Sequence, residues 1–227
     1  MAEASVHLAG AAAVLDSSGA MWLPACRTLV VSDLHLEKAS SFARRGMFLP
    51  PYDTAATLSL LAEVVRRRDP RRIVSLGDSF HDRGGHGRLS VGDLARLAEL
   101  RRGRDWIWVT GNHDPVLPDN VGGDVVSELA WGAFAFRHEP AAHRVPREVA
   151  GHLHPAAKVR GPGRSVRRRA FATDGSRIVL PAFGVLAGGL NVLDAAFARL
   201  FAPGALRAFL IGGDRLFPVA GSMLSPD

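Results

Sequence analysis

A single cysteine, Cys26, stands in the 227 residues, so no disulfide can close within the chain and a reducing, cytoplasmic compartment is expected. Long apolar runs are missing as well. The longest uncharged stretch, residues 178–193, is too short for a bilayer and is broken by Pro181, Gly184, Gly188 and Gly189, so no membrane span is expected. Near the start, Glu3 and the want of a basic segment ahead of residues 6–15 argue against a secretory signal. Lysine is nearly absent: Lys38 and Lys158 are the only two among 28 basic residues, against 22 acidic ones. The net charge of +6 is therefore written in arginine. A GC-rich genome would produce that bias through codon use, so charge alone does not identify a nucleic-acid partner. Clusters at Arg66–Arg68 with Arg71 and Arg72, at Arg101, Arg102 and Arg104, and at Arg164 with Arg167–Arg169 could still form a phosphate-attracting face.

What is present suits a packed core: 47% of the residues are apolar, with no internal repeat, low-complexity linker or composition shift, so one domain over residues 1–227 is expected. Residues 6–15 and 20–23 read as a hairpin about a turn at residues 16–19. Residues 28–32, 73–76 and 106–110 read as short buried strands, each stopped by polar residues. Helices are expected after Pro50-Pro51, with apolar spacing at Ala56, Leu60, Leu61, Val64 and Val65, and over residues 89–100. This is an α/β pattern whose polar clusters sit at the carboxyl ends of strands. Beyond residue 124 short strands dominate, at 132–137, 148–150, 166–172, 177–180, 205–211 and 215–219, with a helix near 194–201.

Five polar clusters follow one another: Asp33-Leu-His35, Gly77-Asp78-Ser-Phe-His81-Asp82, Gly111-Asn112-His113-Asp114, His138, and Gly151-His152-Leu-His154. Residues i and i+2 of a strand share a face, which would let Asp33 and His35 hold one ion and pair His152 with His154. Mixed carboxylate oxygen and imidazole nitrogen suit Mn²⁺, Fe²⁺ or Zn²⁺, whereas the lack of cysteine argues against a structural zinc site. Any one cluster is an ordinary turn or surface histidine. Their joint occurrence at the ends of β-like runs is not.

With these motifs the chain resembles the calcineurin-like metallophosphoesterase superfamily, whose signature is Asp-x-His, Gly-Asp, Gly-Asn-His-Asp/Glu, His and Gly-His-x-His. The resemblance implies a four-layer α/β/β/α sandwich of two mixed sheets around two divalent ions, with Mn²⁺ expected and Fe²⁺ or Zn²⁺ as alternatives. It implies that Asp33, His35, Asp78 and His154 hold the first ion, and that Asp78, Asn112, His138 and His152 hold the second. His113 would stand beside the ions as the catalytic group, oriented by Asp114. Two ions together activate water and neutralise phosphoryl oxygens during in-line displacement.

Three further segments resemble the bacterial ligase-associated DNA damage response endonucleases: Asp33-Leu-His-Leu-Glu-Lys38 continuing to Gly46, His81 three residues after Asp78, and Leu180-Pro-Ala-Phe-Gly184 followed by Gly188-Gly-Leu-Asn-Val192. Ala39 and residues 185–187 depart from that family's pattern. The resemblance implies a DNA endonuclease in damage repair, with an ATP-dependent DNA ligase and a helicase as partners. Lys38, Arg44, Arg45 and His81 are the candidate substrate contacts, since arginine matches phosphate bidentately. Phe42 and Phe80 could stack on bases or pack in the core, and the Arg164–Arg169 segment could be a basic hairpin or a plain exposed turn. The rival readings are a small-molecule phosphodiesterase or monoesterase and a metal-poor scaffold for protein contacts.

Overall fold

A computed structural model describes residues 2–227, the Asp119 side chain excepted. Its first sheet opens with an antiparallel meander, β1 (Glu3–Leu8), β2 (Ala11–Asp16) and β3 (Met21–Leu23), which adds β4 (Thr28–Val31) at its inner edge. Two helices, α1 (Lys38–Ala43) and α2 (Asp53–Arg68), lead to β5 (Arg72–Leu76), and α3 (Val91–Arg101) leads to β6 (Asp105–Val109). With β7 (Asp124–Val126), strands β4 to β7 run parallel, so the sheet is mixed.

The second sheet starts with β8 (Glu128–Trp131), β9 (Phe134–Arg137) and β10 (Glu148–Ala150), and adds the hairpin β11 (Pro155–Gly161) and β12 (Arg164–Thr173). β13 (Ile178–Val179), β14 (Leu190–Asn191), β15 (Arg207–Gly212) and β16 (Arg215–Ala220) complete it. β9, β10 and β13 are parallel neighbours, while β12 is antiparallel to β11, β13 and β15.

Strand periodicity explains the layering. In β4 to β6, Val30, Val74, Leu76, Ile107 and Val109 face the second sheet, where Phe134, Phe136, Phe171, Ile178 and Leu180 meet them. Their neighbours Leu29, Val31, Ile73, Trp106 and Trp108 face Leu58, Leu61 and Val64 of α2 and Leu97 and Leu100 of α3. Strands covered on both faces read as unbroken apolar runs, which is how they stand out in the sequence. On the far side of the second sheet, Phe197 and Leu200 cover Ala157, Ala170, Ala172 and Leu210.

Two expected elements differ. Residues 6–15 are two strands, because Ala9 and Gly10 take positive φ (45° and 86°) and turn the chain within two residues, pairing Leu8 with Ala11. The helix expected near 194–201 is one 3₁₀ turn, Ala195–Phe197. Asp194 caps it by accepting the Ala196 N–H, but Ala198 leaves the helical region and Arg199 sits at φ 75°, so the helix does not continue. The fold is an α/β sandwich of two mixed sheets, with its helices on the first.

Phe171 is fully buried between the sheets, whereas Phe48 is 86% exposed. Phe171→Ala should cost about 3–5 kcal/mol in urea unfolding. Phe48→Ala should stay within about 0.5 kcal/mol. Equal losses would mean that the inter-sheet core does not carry the stability.

Candidate metal centre

The five polar clusters converge at the carboxyl ends of β4, β5, β6, β9 and β10. Asp33 and His35 lie beyond the last residue of β4, and His152 and His154 beyond β10, so strand alternation does not bring the pairs together as the spacing suggested. Alternate residues instead adopt left-handed backbone: Asp33 (φ 53°), His35 (44°), Glu37 (63°), His152 (67°) and His154 (45°), with Asp78 (45°) facing them. Such conformations cost roughly 1–3 kcal/mol each for residues with a side chain and persist only when the surroundings over-determine them. Here the surroundings are backbone hydrogen bonds between the loops. The His35 N–H donates to the Asp78 carbonyl (2.9 Å), Leu36 to Ser79 (2.9 Å), His81 to Leu36 (3.0 Å) and Gly151 to His138 (2.9 Å). Close approach makes Gly151 obligatory: a Cβ there would stand 1.7 Å from Ser32 Oγ.

Two donor groups result, Asp33 with His35 and His154, and Asp78 with His138 and His152. In the first, His35 Nε2 lies 3.1 Å from His154 Nε2, which is 3.3 Å from Asp33 Oδ1. In the second, His138 Nε2 lies 3.1 Å from His152 Nδ1, 3.4 Å from Asp78 Oδ1 and 2.9 Å from Asn112 Oδ1. Donors bonded to one ion at about 2.1 Å and 90–109° apart would be about 3.0–3.4 Å from one another, so both groups already have ligand-to-ligand spacing. The donor chemistry fits divalent cations.

The electrostatics agree. Burial opposes ionisation of Asp33 and Asp78, yet both carboxyls are held low, Asp33 by His154 and His138 and Asp78, at about 2, by its hydrogen bond to His138. His138 is also buried, but the two carboxylates pull it up to about 9. The two carboxylates that favour a positive charge on His138 also favour a metal cation between them. Burial, chiefly, lowers His35 to about 3 and keeps His152 below its ordinary value, leaving neutral imidazoles suited to ligation.

His113 stands at the mouth, its Nε2 3.9 Å from Asp78 Oδ2 and its ring about one-third exposed. Its Nδ1–H donates to the His81 carbonyl oxygen (2.7 Å). That corrects the expectation for Asp114, which does not orient His113. Asp114 is buried beneath the loops, where its two oxygens accept the N–H groups of Gly111 (3.0 Å) and Phe80 (3.0 Å). Burial pushes its carboxyl up to about 6. These backbone donors, with Ser79 beside them, claim the side chain, which ties the β5 and β6 loops together.

His81 stacks on His113 (ring centroids 5.2 Å) and on Phe42 (5.6 Å), and forms a third donor group with His35 and His113. Burial, with Lys38, His113 and Arg45 nearby, lowers it to about 4. Lys38 opens α1 and is half-buried, while Arg44 and Arg45 are exposed at its end. Sequence reasoning missed the clamp that holds α1. Asp53 Oδ2 accepts the Ala39 N–H, and Arg88 joins Asp82 (2.8 and 2.9 Å) to Ser40 (2.8 Å). It also missed Ser32, whose hydroxyl donates to Asp33. No spacing signal marks Asp53 or Arg88, which come from distant segments, and Ser32 beside Asp33 reads as the end of a strand.

A family model described as calcineurin-like phosphoesterase matches residues 26–180, a span that contains all five clusters. The crystal structure of Pseudomonas putida nuclease MPE is similar to this chain, with 26% identity and a TM-score of 0.72 over 96% of this chain and 100% of that one. Yfce, a phosphoesterase from E. coli, aligns with 15% identity and a TM-score of 0.41 over 85% of this chain and 98% of that one. No curated protein matches.

The donors come from five separated loops, so ions bound to the native state alone should stabilise it by linkage. Verified metal removal by a chelator should lower the melting temperature, and added Mn²⁺ should restore it. An unchanged melting curve would show that the groups do not share ions across the two sheets.

Proposed function

We propose that this chain, which belongs to the calcineurin-like phosphoesterase family and is thereby a metal-dependent hydrolase of phosphoester bonds, cuts phosphodiester bonds in DNA endonucleolytically as part of damage repair. The observation that carries the reading is the pair of donor groups opening beside Lys38, Arg45 and the His81–His113 ring pair. The likeness to a nuclease over nearly the whole of both chains supports it. A monoester site is favoured by deep enclosure, but here the mouth is flanked by exposed arginines that can follow a strand past the reacting phosphate.

Asp33, His35, Asp78 and His154 would hold one ion, and Asp78, Asn112, His138 and His152 the other, with Asp78 bridging; Mn²⁺ is the proposed metal. When bound, the ions supply Lewis acidity toward the phosphoryl oxygens and acidify coordinated water. The chain's own residues do the rest. His113 presents Nε2 toward the site because the His81 carbonyl holds its Nδ1–H, so the ring can give a proton to the leaving oxygen without turning. His81, stacked against it and low in pKa, is neutral near pH 7 and can accept a hydrogen bond or donate one without adding charge. Arg44 and Arg45 would grip the phosphates of the strand leaving the site.

Asp78→Asn should abolish activity and reduce the metal content to one ion or none. His113→Ala should retain both ions and lose roughly 10²–10⁴-fold in turnover. Loss of metal from the His113 variant would refute its role as a proton donor. The double change Arg44→Ala and Arg45→Ala should weaken plasmid nicking far more than hydrolysis of a small chromogenic phosphodiester. Absence of nicking by the parent at low salt with Mn²⁺ would transfer the protein to small-molecule phosphodiesters.

A further inference from the structure

β11 begins at Pro155, the residue after His154, so the last candidate ligand passes directly into a hairpin. The first six residues of β12 pair with β11, from Gly161↔Arg164 to Ala156↔Arg169, and its last four pair with β15. β14 reaches only Pro155 and Ala156, and the C-terminal tail the facing pair Lys158 and Arg167, the Lys158 carbonyl accepting the Ser225 N–H (2.8 Å) and Arg167 meeting Asp227. Beyond that point the hairpin is a free two-stranded ribbon, every residue from Arg160 to Arg168 exposed. At about 3.3 Å per residue, β11 carries the tip roughly 20 Å from the metal centre.

Residues 155–173 hold six cations, Lys158, Arg160, Arg164, Arg167, Arg168 and Arg169, and no acid, and the other 22 basic residues of the chain are matched by its 22 acidic ones. The whole excess charge thus equals that of one ribbon. Codon bias would spread arginine without regard to fold and does not explain this placement. Two of the cations are spoken for: Arg169 donates to the Ser18 and Ala182 carbonyls, and Arg167 pairs with Asp227 (2.9 Å), which Lys158 also faces. Among the described residues Arg160, Arg164 and Arg168 have no acidic partner. Like charges on one ribbon destabilise it, so the arrangement gains from an anionic partner.

The register separates these three. Arg160 lies opposite Ser165 on one face of the ribbon, whereas Arg164 and Arg168, opposite Gly161 and Ala157, project from the other. A flat anionic surface would meet a single face. A groove in duplex DNA has a phosphate wall on either side, and the major groove, about 12 Å wide, admits a two-stranded ribbon. We propose that the β11–β12 ribbon is a docking arm for duplex DNA flanking the cut, entering a groove about six base pairs from the metal centre with Arg160 on one wall and Arg164 and Arg168 on the other. The proposal rests on the nuclease reading and adds the duplex flank as the partner of a surface outside the site.

The test uses the metal-loaded protein in a His113→Ala background, a fluorescent 30-base-pair duplex and a 6-base-pair control. Arg160→Ala alone, and Arg164→Ala with Arg168→Ala, should each weaken binding to the long duplex. The triple variant should lose at least about tenfold in affinity, and its log–log salt slope should fall by about 2.7, at 0.9 per phosphate contact. The 6-base-pair duplex should bind the parent and the triple variant alike. Melting temperature and metal content of the variants report that the fold and centre are intact. Parent-like binding of the long duplex by the triple variant would overturn the arm, as would loss confined to one face together with equal loss on phosphatidylserine vesicles. Both results differ from failure of the nuclease reading, in which the parent, with His113 restored, nicks no DNA.

Discussion

Asp33 has no solvent exposure and Asp78 almost none, and two carboxylates at one seam between two sheets repel each other and resist desolvation. Neither is tolerable without donors aimed at it. The loops therefore arrange themselves around those oxygens: Ser32 Oγ and the His152 N–H reach Asp33, the His113 N–H reaches Asp78, and three imidazoles crowd the remaining directions. The left-handed residues follow from the same demand. A strand continued in extended form would send Asp33 and His35 along the sheet, whereas alternate left-handed steps fold both back onto the seam. The backbone strain is local, and the inter-loop hydrogen bonds and a two-sided apolar core offset it.

The sandwich supplies the rigidity this requires. Parallel strands β4, β5 and β6 end side by side, as do β9 and β10, and an apolar layer containing Phe136 and Phe171 locks the two sets of ends opposite one another. The Asp33 and Asp78 donor groups each draw from both sheets, so the separation of the sheets sets the spacing of donors within each of them. Loops carry the donors, yet cross-loop bonds such as Asp114 to Phe80 and Gly111 leave them little freedom to move independently. Preorganisation of this kind lets a site hold ions without paying again in backbone ordering.

The polar clusters that converge were legible because metal chemistry is written in residue type: Asp, His and Asn at the ends of β-branched runs point to the same chemistry whatever backbone presents them. Strands β4, β5, β6 and β10 and helices α2 and α3 were legible for a related reason, since burial on both faces or on one stripe leaves a compositional trace. Left-handed Asp33 and His35 left none, because neither is glycine and an i, i+2 pair looks the same in a strand. The turn at Ala9-Gly10 hides inside an apolar run of small residues. The orienting role that the resemblance implied for Asp114 fails because the N–H groups of Gly111, in its own loop, and of Phe80, from the β5 loop, take its oxygens. The six-residue α1 is held by Asp53 and Arg88, from 14 and 48 residues away along the chain, and no local pattern announces it.

Arginine content and arginine position answer different questions. Composition sets the sum, and a sum of +6 in an arginine-rich chain says nothing about partners. Position is a property of the fold. Arg67, Arg68 and Arg72 of one cluster pair with Glu3, Asp16 and Asp105, and Arg102 and Arg104 of the next with Glu99 and Asp69, so two of the three clusters that looked basic in one dimension draw acids in three. The cluster at residues 164–169 behaves otherwise: pairing within the ribbon brings more cations opposite it rather than acids. Exposed Arg44 and Arg45 beside the metal centre are likewise absent from the ion pairs among the described residues. Among the described residues without an ion pair, Arg44 and Arg45 lie at the edge of the site and Arg160, Arg164 and Arg168 on the ribbon that leaves it, both reached from the loops that carry Asp33 and His154. A polyanion held at the centre would meet cations in both directions, which is the distribution a strand longer than the reacting phosphate requires.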